Sequence, residues 1–204
     1  WPAQIVTVAA GVSAWALLRR ADVRRGRLIA AFLALCWLWV AIAFHAKRYV
    51  TINWAAVDFA WGFGVEAVLL VWTGIIRGRL VFDREGRLIA RAGLAIFLFA
   101  LAVQPMVGLL FGRTWRQLEF FGLAPDPTAI GTLGLLLVAA GRTRWELIVI
   151  PAIWCVISAA MLWAMKMSDA WIVAIGAALA TVLVIARAVA LRRQPPRREA
   201  ISEV

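Results

Sequence analysis

Seven long apolar blocks separated by short arginine-rich pieces constrain this chain more than any other feature. They run at about Ala3–Leu18, Leu28–Phe44, Ala55–Ile76, Ala92–Phe111, Thr128–Ala140, Leu147–Met165 and Trp171–Ala186. Crossing a bilayer as a helix takes roughly 17–25 predominantly apolar residues. The third, fourth and sixth blocks meet that length. The first is marginal, and the fifth is long enough only if it begins near Pro125. A soluble domain is close to half apolar, whereas 64% of these 204 residues are hydrophobic. The expected fold is all-α, a polytopic transmembrane bundle of about seven spans. Residues 1–191 would form one transmembrane domain and 192–204 a polar, disordered cytoplasmic tail.

The basic residues give this arrangement a direction. Arg19, Arg20, Arg24, Arg25 and Arg27 follow the first block, and Arg77, Arg79, Arg84, Arg87 and Arg91 follow the third. Arg142 and Arg144 follow the fifth; Arg187, Arg192, Arg193, Arg197 and Arg198 follow the seventh. Together these are 17 of the 22 basic residues, against Lys47, Arg48, Arg113, Arg116 and Lys166 in the other connections. The richer side of a membrane protein is cytoplasmic. The N-terminus is therefore expected outside and the C-terminus inside, in a bacterial inner membrane. The same bias accounts for the net charge of +11 without a nucleic-acid partner. The chain opens on Trp1 rather than Met, so it is expected to continue upstream, and no signal peptide with a cleavage site is recognisable.

Chemistry has few places to hide in such a chain. Cys36 and Cys155 each lie inside an apolar block, and His45 is the single histidine. No Cys/His metal set is possible and no metal is expected. No Ser/His/Asp set, HExxH motif or Gly-rich phosphate loop occurs, which leaves a membrane-embedded enzyme as the third and weaker option, and the sequence names no cofactor. What stands out is WAAVDFAWGFGVEAVLL, an apolar stretch with Asp58 and Glu66. At 1.5 Å per residue Glu66 lies about 17 Å below the outer end of its block, near the middle of a ~30 Å core. Acids at that depth usually mark a site. As a neutral acid Glu66 can hold a proton for transport or make a plain interhelical hydrogen bond. Asp58 is only ~5 Å deep and about 80° round the helix. It can pair with Lys47 or Arg48, or line an outward vestibule with His45 and Asn53.

Other polar residues have structural and functional readings side by side. Asp126-Pro127 reads as an N-cap and first helical residue, with a ligand role second. Gln104 precedes Pro105, which frees a carbonyl one turn back that Gln104 can bond. Pro105 and Pro151 should kink their helices. The outer loop GRTWRQLEFFGLAPDPT carries interfacial aromatics and can act as a lid. Lys166 and Asp169 read as solvated loop charges. Ala174/Ala178, Gly176/Ala180, Gly131 and Gly134 suit close helix approach.

Several stretches resemble one uncharacterised family of bacterial multi-pass membrane proteins, a domain of unknown function. They are WPAQ at the start, Ile52-Asn53, VWTGIIRGRL, QPMVGLLFGR, FGLAPDPTAIGTLGLLL and VIPAIW, followed by Asp169. The resemblance covers nearly the whole chain and implies a membrane fold without a mechanism. In that family a Gln often stands where this chain has Glu66, and a Cys-Pro pair where it has Asp126-Pro127.

The leading expectation is a small transporter or permease-like protein for a small solute or ion, with protons taken up through Glu66 and Asp58. His45, Asn53, Gln104 and Asp126 complete the candidate set. The alternative is a non-transporting sensor or an accessory subunit packed against a membrane partner or a second copy. The cytoplasmic halves of the blocks offer few polar residues, which weighs against a transport path.

Overall fold

Apolar residues without strand alternation give helices throughout. The computed structural model describes residues 2–83, 88–112, 114–166 and 170–193. Among these the chain is all-α, with one isolated antiparallel bridge between Phe82 and Ala139. The polar tail from 194 onward, Asp169 and Arg113 lie outside the described residues.

Helix α1 is Pro2–Leu17. Asp22, in extended backbone, caps α2 (Val23–Trp39), accepting from the Arg24 amide at 3.2 Å. The α2 rod continues as a π-helical stretch, Val40–Ala46, and a short 3-10 turn, Tyr49–Thr51. Helix α3 (Ala56–Leu70) also widens into a π stretch, Val71–Ile76. Helix α4 (Leu88–Leu98) passes through Phe99–Val103 into α5 (Gln104–Leu110). Pro105 cannot donate to the preceding turn, and the wider π winding ahead of it absorbs that loss. Next come α6 (Pro125–Val138), α7 (Val149–Ala164) and α8 (Ala170–Arg193). Pro151 falls in the first turn of α7, where no intrahelical N–H partner is needed. It therefore opens the helix and does not kink it.

Four of these rods are long and apolar enough to cross a membrane: Val23–Thr51, Ala56–Ile76, Leu88–Leu110 and Trp145–Ala164. Shorter apolar helices cover Ala3–Leu17, Pro125–Val138 and Ala174–Ala190. The outer surface matches. Trp61, Val68, Leu110 and Trp163 are all well exposed. Water-soluble monomers rarely leave apolar faces of such extent uncovered, so the protein is a membrane protein.

Helix α6 is the axis of the fold, and every residue from Pro125 to Val138 is buried. Its 14 residues span only about 21 Å, too short to reach both faces of a bilayer core. Irregular backbone at membrane depth is tolerated where protein surrounds it, and both ends of α6 finish in protein. At the start, Gly122 turns the chain with φ +80, and its amide donates to Thr128 Oγ1 at 2.9 Å. At the finish, Ala140 donates to the Val81 carbonyl at 2.6 Å. Against α4 the backbones nearly touch. A Cβ on Gly93 would sit 2.5 Å from the Gly134 carbonyl oxygen, and one on Gly134 would sit 2.7 Å from that of Gly93.

Candidate functional site

Helix α6 offers its neighbours a row of polar groups inside an apolar core. Thr128 Oγ1 donates to the Ala124 carbonyl at 2.6 Å, and Thr132 Oγ1 to the Thr128 carbonyl at 2.7 Å. Such back-bonding leaves each hydroxyl oxygen free to accept. Thr132 accepts from the Trp37 indole N–H at 3.0 Å. Asp126 Oδ1 accepts from the Trp154 indole N–H at 2.8 Å. The helix begins at Pro125 with Ala124 as its N-cap. Asp126 therefore lies inside the first turn, where the helix dipole favours a negative group, and is not the cap.

The two anchored indoles hold an aromatic box. The Trp154 ring centroid is 5.0 Å from His45, 5.3 Å from Phe59 and 5.1 Å from Phe63. Phe63 is 4.4 Å from Trp37 and 4.7 Å from His45. Phe44 and Tyr49 close the remaining sides at 5.1 and 6.0 Å. His45 sits in the π stretch that ends α2 and is 0% exposed. Neither ring nitrogen has a hydrogen-bond partner among the described residues. A ring face is only a weak acceptor for an imidazole N–H.

Glu66 and Gln104 share this condition. Glu66, on α3 one turn beyond Phe63, is 0% exposed and both carboxyl oxygens lack partners. Gln104 is buried, and neither its amide nitrogen nor its oxygen is bonded. It does not bond the carbonyl freed by Pro105. Each such group left without a partner among the described residues costs about 1–3 kcal/mol.

Asp58 stays apart. It is exposed on α3 while His45 is sealed behind rings, so the two do not line one vestibule. Asn53 joins the His45 surroundings indirectly, donating to the Tyr49 hydroxyl at 3.4 Å and accepting from the Ala55 amide at 3.0 Å. A cavity of about 380 Å³ does exist, lined by Gln4, Trp39, Phe44, Arg48, Trp115 and Leu123 among others. Trp115 and Leu123 come from the loop expected as a lid. Phe44 forms the wall between this cavity and His45.

Trp37, Phe63, Thr132 and Trp154 do not stand out in the sequence, because indoles and hydroxyls are ordinary in apolar blocks. The usable signal was two threonines four residues apart just after Asp126. Cys36 and Cys155 are buried free thiols. Among the described residues, no three His, Cys, Asp or Glu side chains converge as a metal site.

No curated protein and no solved structure matches the chain. A model of a family of unknown function, DUF6064, matches residues 1–194. An all-α membrane protein with a buried polar set around one central helix, this chain belongs to the family of unknown function DUF6064.

Proposed function

We propose that the protein is a seven-span permease-like protein of a bacterial inner membrane, N-terminus outside and C-terminus cytoplasmic. In this reading it handles a small solute or ion and takes up protons at Glu66. The observation that carries it is Glu66 itself, fully buried with two oxygens that have no partner among the described residues. Intramembrane acids of this kind serve proton relays and ion pathways. His45 and Gln104, equally unpartnered, are further contact points for a solute or its water. The basic bias of the connections supports the orientation.

The test is electrical. Purified protein in liposomes on a solid-supported membrane receives a pH jump, with wild type compared against Glu66→Gln. A transient current in wild type, lost in the variant, is the expected result. No current in either would overturn the proton-uptake reading of Glu66.

One observation favours the alternative of an accessory subunit. A groove of about 630 Å³ between α7 and α8 is lined by Ala159, Ala174 and Ala178 beside Trp163 and Trp171. Small residues there would admit a second transmembrane helix. Under that reading Ala178→Phe abolishes cross-linking to the partner or second copy and leaves the pH-jump response unchanged.

A further inference from the structure

Away from the buried acid, the end of α6 near the arginine-rich connections carries a second polar cluster. Arg187 on α8 is buried, and its guanidinium donates to the Leu136 carbonyl at 2.7 Å, to Leu137 at 3.1 Å, to Gly141 at 3.2 Å, and to Ala139. The carbonyls that normally leave a helix C-terminus negative are thereby covered by a cation. Beside them lies a small cavity of about 10 Å³ whose polar lining is Arg142, Thr143, Arg144 and Arg187. Of these lining residues, Thr143 and Arg144 each bury a polar atom, Oγ1 and Nε, that has no hydrogen-bond partner among the described residues. Arg144 makes one long contact elsewhere, Nη2 to the Arg79 carbonyl at 3.5 Å. Arg142 is exposed at the rim. No carboxylate is among the described lining residues, and the neighbouring Glu146 is exposed outside it.

Two donors without a partner among the described residues ask for an acceptor, and the positive charges of Arg142 and Arg144 beside them ask that it be an anion. The cavity holds one oxygen atom and no more. We propose that it is the seat of a phosphate-type oxyanion. One phosphate oxygen enters the cavity to accept from Thr143 Oγ1 and Arg144 Nε, and the rest lies at the mouth against Arg142. The source is either an anionic lipid phosphodiester, as basic pockets at the cytoplasmic ends of helices commonly take, or free phosphate.

The experiment uses the full-length protein purified in detergent and stripped of lipid, with thermal unfolding followed by tryptophan fluorescence. Inorganic phosphate is titrated against chloride at equal ionic strength. Phosphatidylglycerol is titrated against diacylglycerol of the same chains. Stabilisation by both phosphate-bearing probes supports the site and makes free phosphate sufficient. Stabilisation by phosphatidylglycerol alone supports it as a lipid headgroup site. In Arg144→Gln and Thr143→Val the half-saturating concentration should rise roughly tenfold. Should Arg144→Gln not fold, the near-isosteric Thr143→Val and the wild-type comparison still decide. Unfolding temperatures no higher with phosphate than with chloride, and no higher with phosphatidylglycerol than with diacylglycerol, would overturn the proposal. So would an equal response in wild type and both variants.

Discussion

Trp154 shows how much one side chain can organise in this core. Its indole N–H holds Asp126 while its ring walls His45. Trp154→Phe keeps a ring against His45 and removes the donor. The variant should lose about 1–3 kcal/mol of stability, read from denaturant unfolding in detergent. Adding Asp126→Ala should cost less in the Trp154→Phe background than in wild type. Glu66 should behave in the opposite sense. Because its two oxygens have no partners among the described residues, Glu66→Leu should unfold at a temperature equal to or above wild type while losing the pH-jump current. That is the usual signature of a residue kept for function against stability. A drop in stability in that variant would point to a structural partner. None of the pairings behind these predictions was legible in the sequence. Asp126 and Trp154 are 28 residues apart and Trp37 and Thr132 are 95 apart, so only folding brings them together.

At the scale of elements, the design problem is a central helix shorter than the membrane is thick. Its C-terminal carbonyls are taken up by Arg187, which charge counting alone assigns to topology. Arg187→Met should destabilise the fold by roughly 3 kcal/mol, because several buried carbonyls lose a charged donor at once. Arg187→Lys should recover only part of this, since an ammonium cannot fork across separate acceptors as a guanidinium does. Thermal unfolding of the three proteins side by side is the check. The α4–α6 crossing makes a second demand. Gly93→Ala places a methyl group against the Gly134 backbone and should cost about 1–3 kcal/mol through overpacking, although alanine is the better helix former. Element ends were the least legible feature. The fourth apolar block begins at Ala92, but its helix starts at Leu88. The seventh block stops at Ala186, but α8 runs on to Arg193. Arginine ends an apolar block without ending a helix, since it is itself a good helix former.

For the whole molecule, the proposed orientation makes a labelling prediction. Thr51 and Arg20 are both exposed, at opposite ends of the α2 rod. In intact cells Thr51→Cys should react with a membrane-impermeant thiol reagent, and Arg20→Cys should react only after lysis. The native Cys36 and Cys155 are buried and should stay silent. Labelling in the reverse pattern would invert the topology and, with it, the side on which the cavity beside Phe44 opens.

The sequence by itself determined that the chain is helical and made for lipid, and roughly where each helix lies. Those properties follow from transfer free energy, which adds residue by residue along a contiguous stretch, and from a bias in basic residues that needs only counting. It also singled out Glu66, because an acid in an apolar block is visible without any neighbour. Only the tertiary structure decided that α6 is the buried axis, that His45 is boxed by aromatics while Asp58 is exposed, and that Arg187 and the Thr143–Arg144 pair share the end of α6. Those outcomes depend on which face of each helix meets which other helix. That is set by packing and hydrogen-bond geometry between residues far apart in the chain, and no local pattern encodes it.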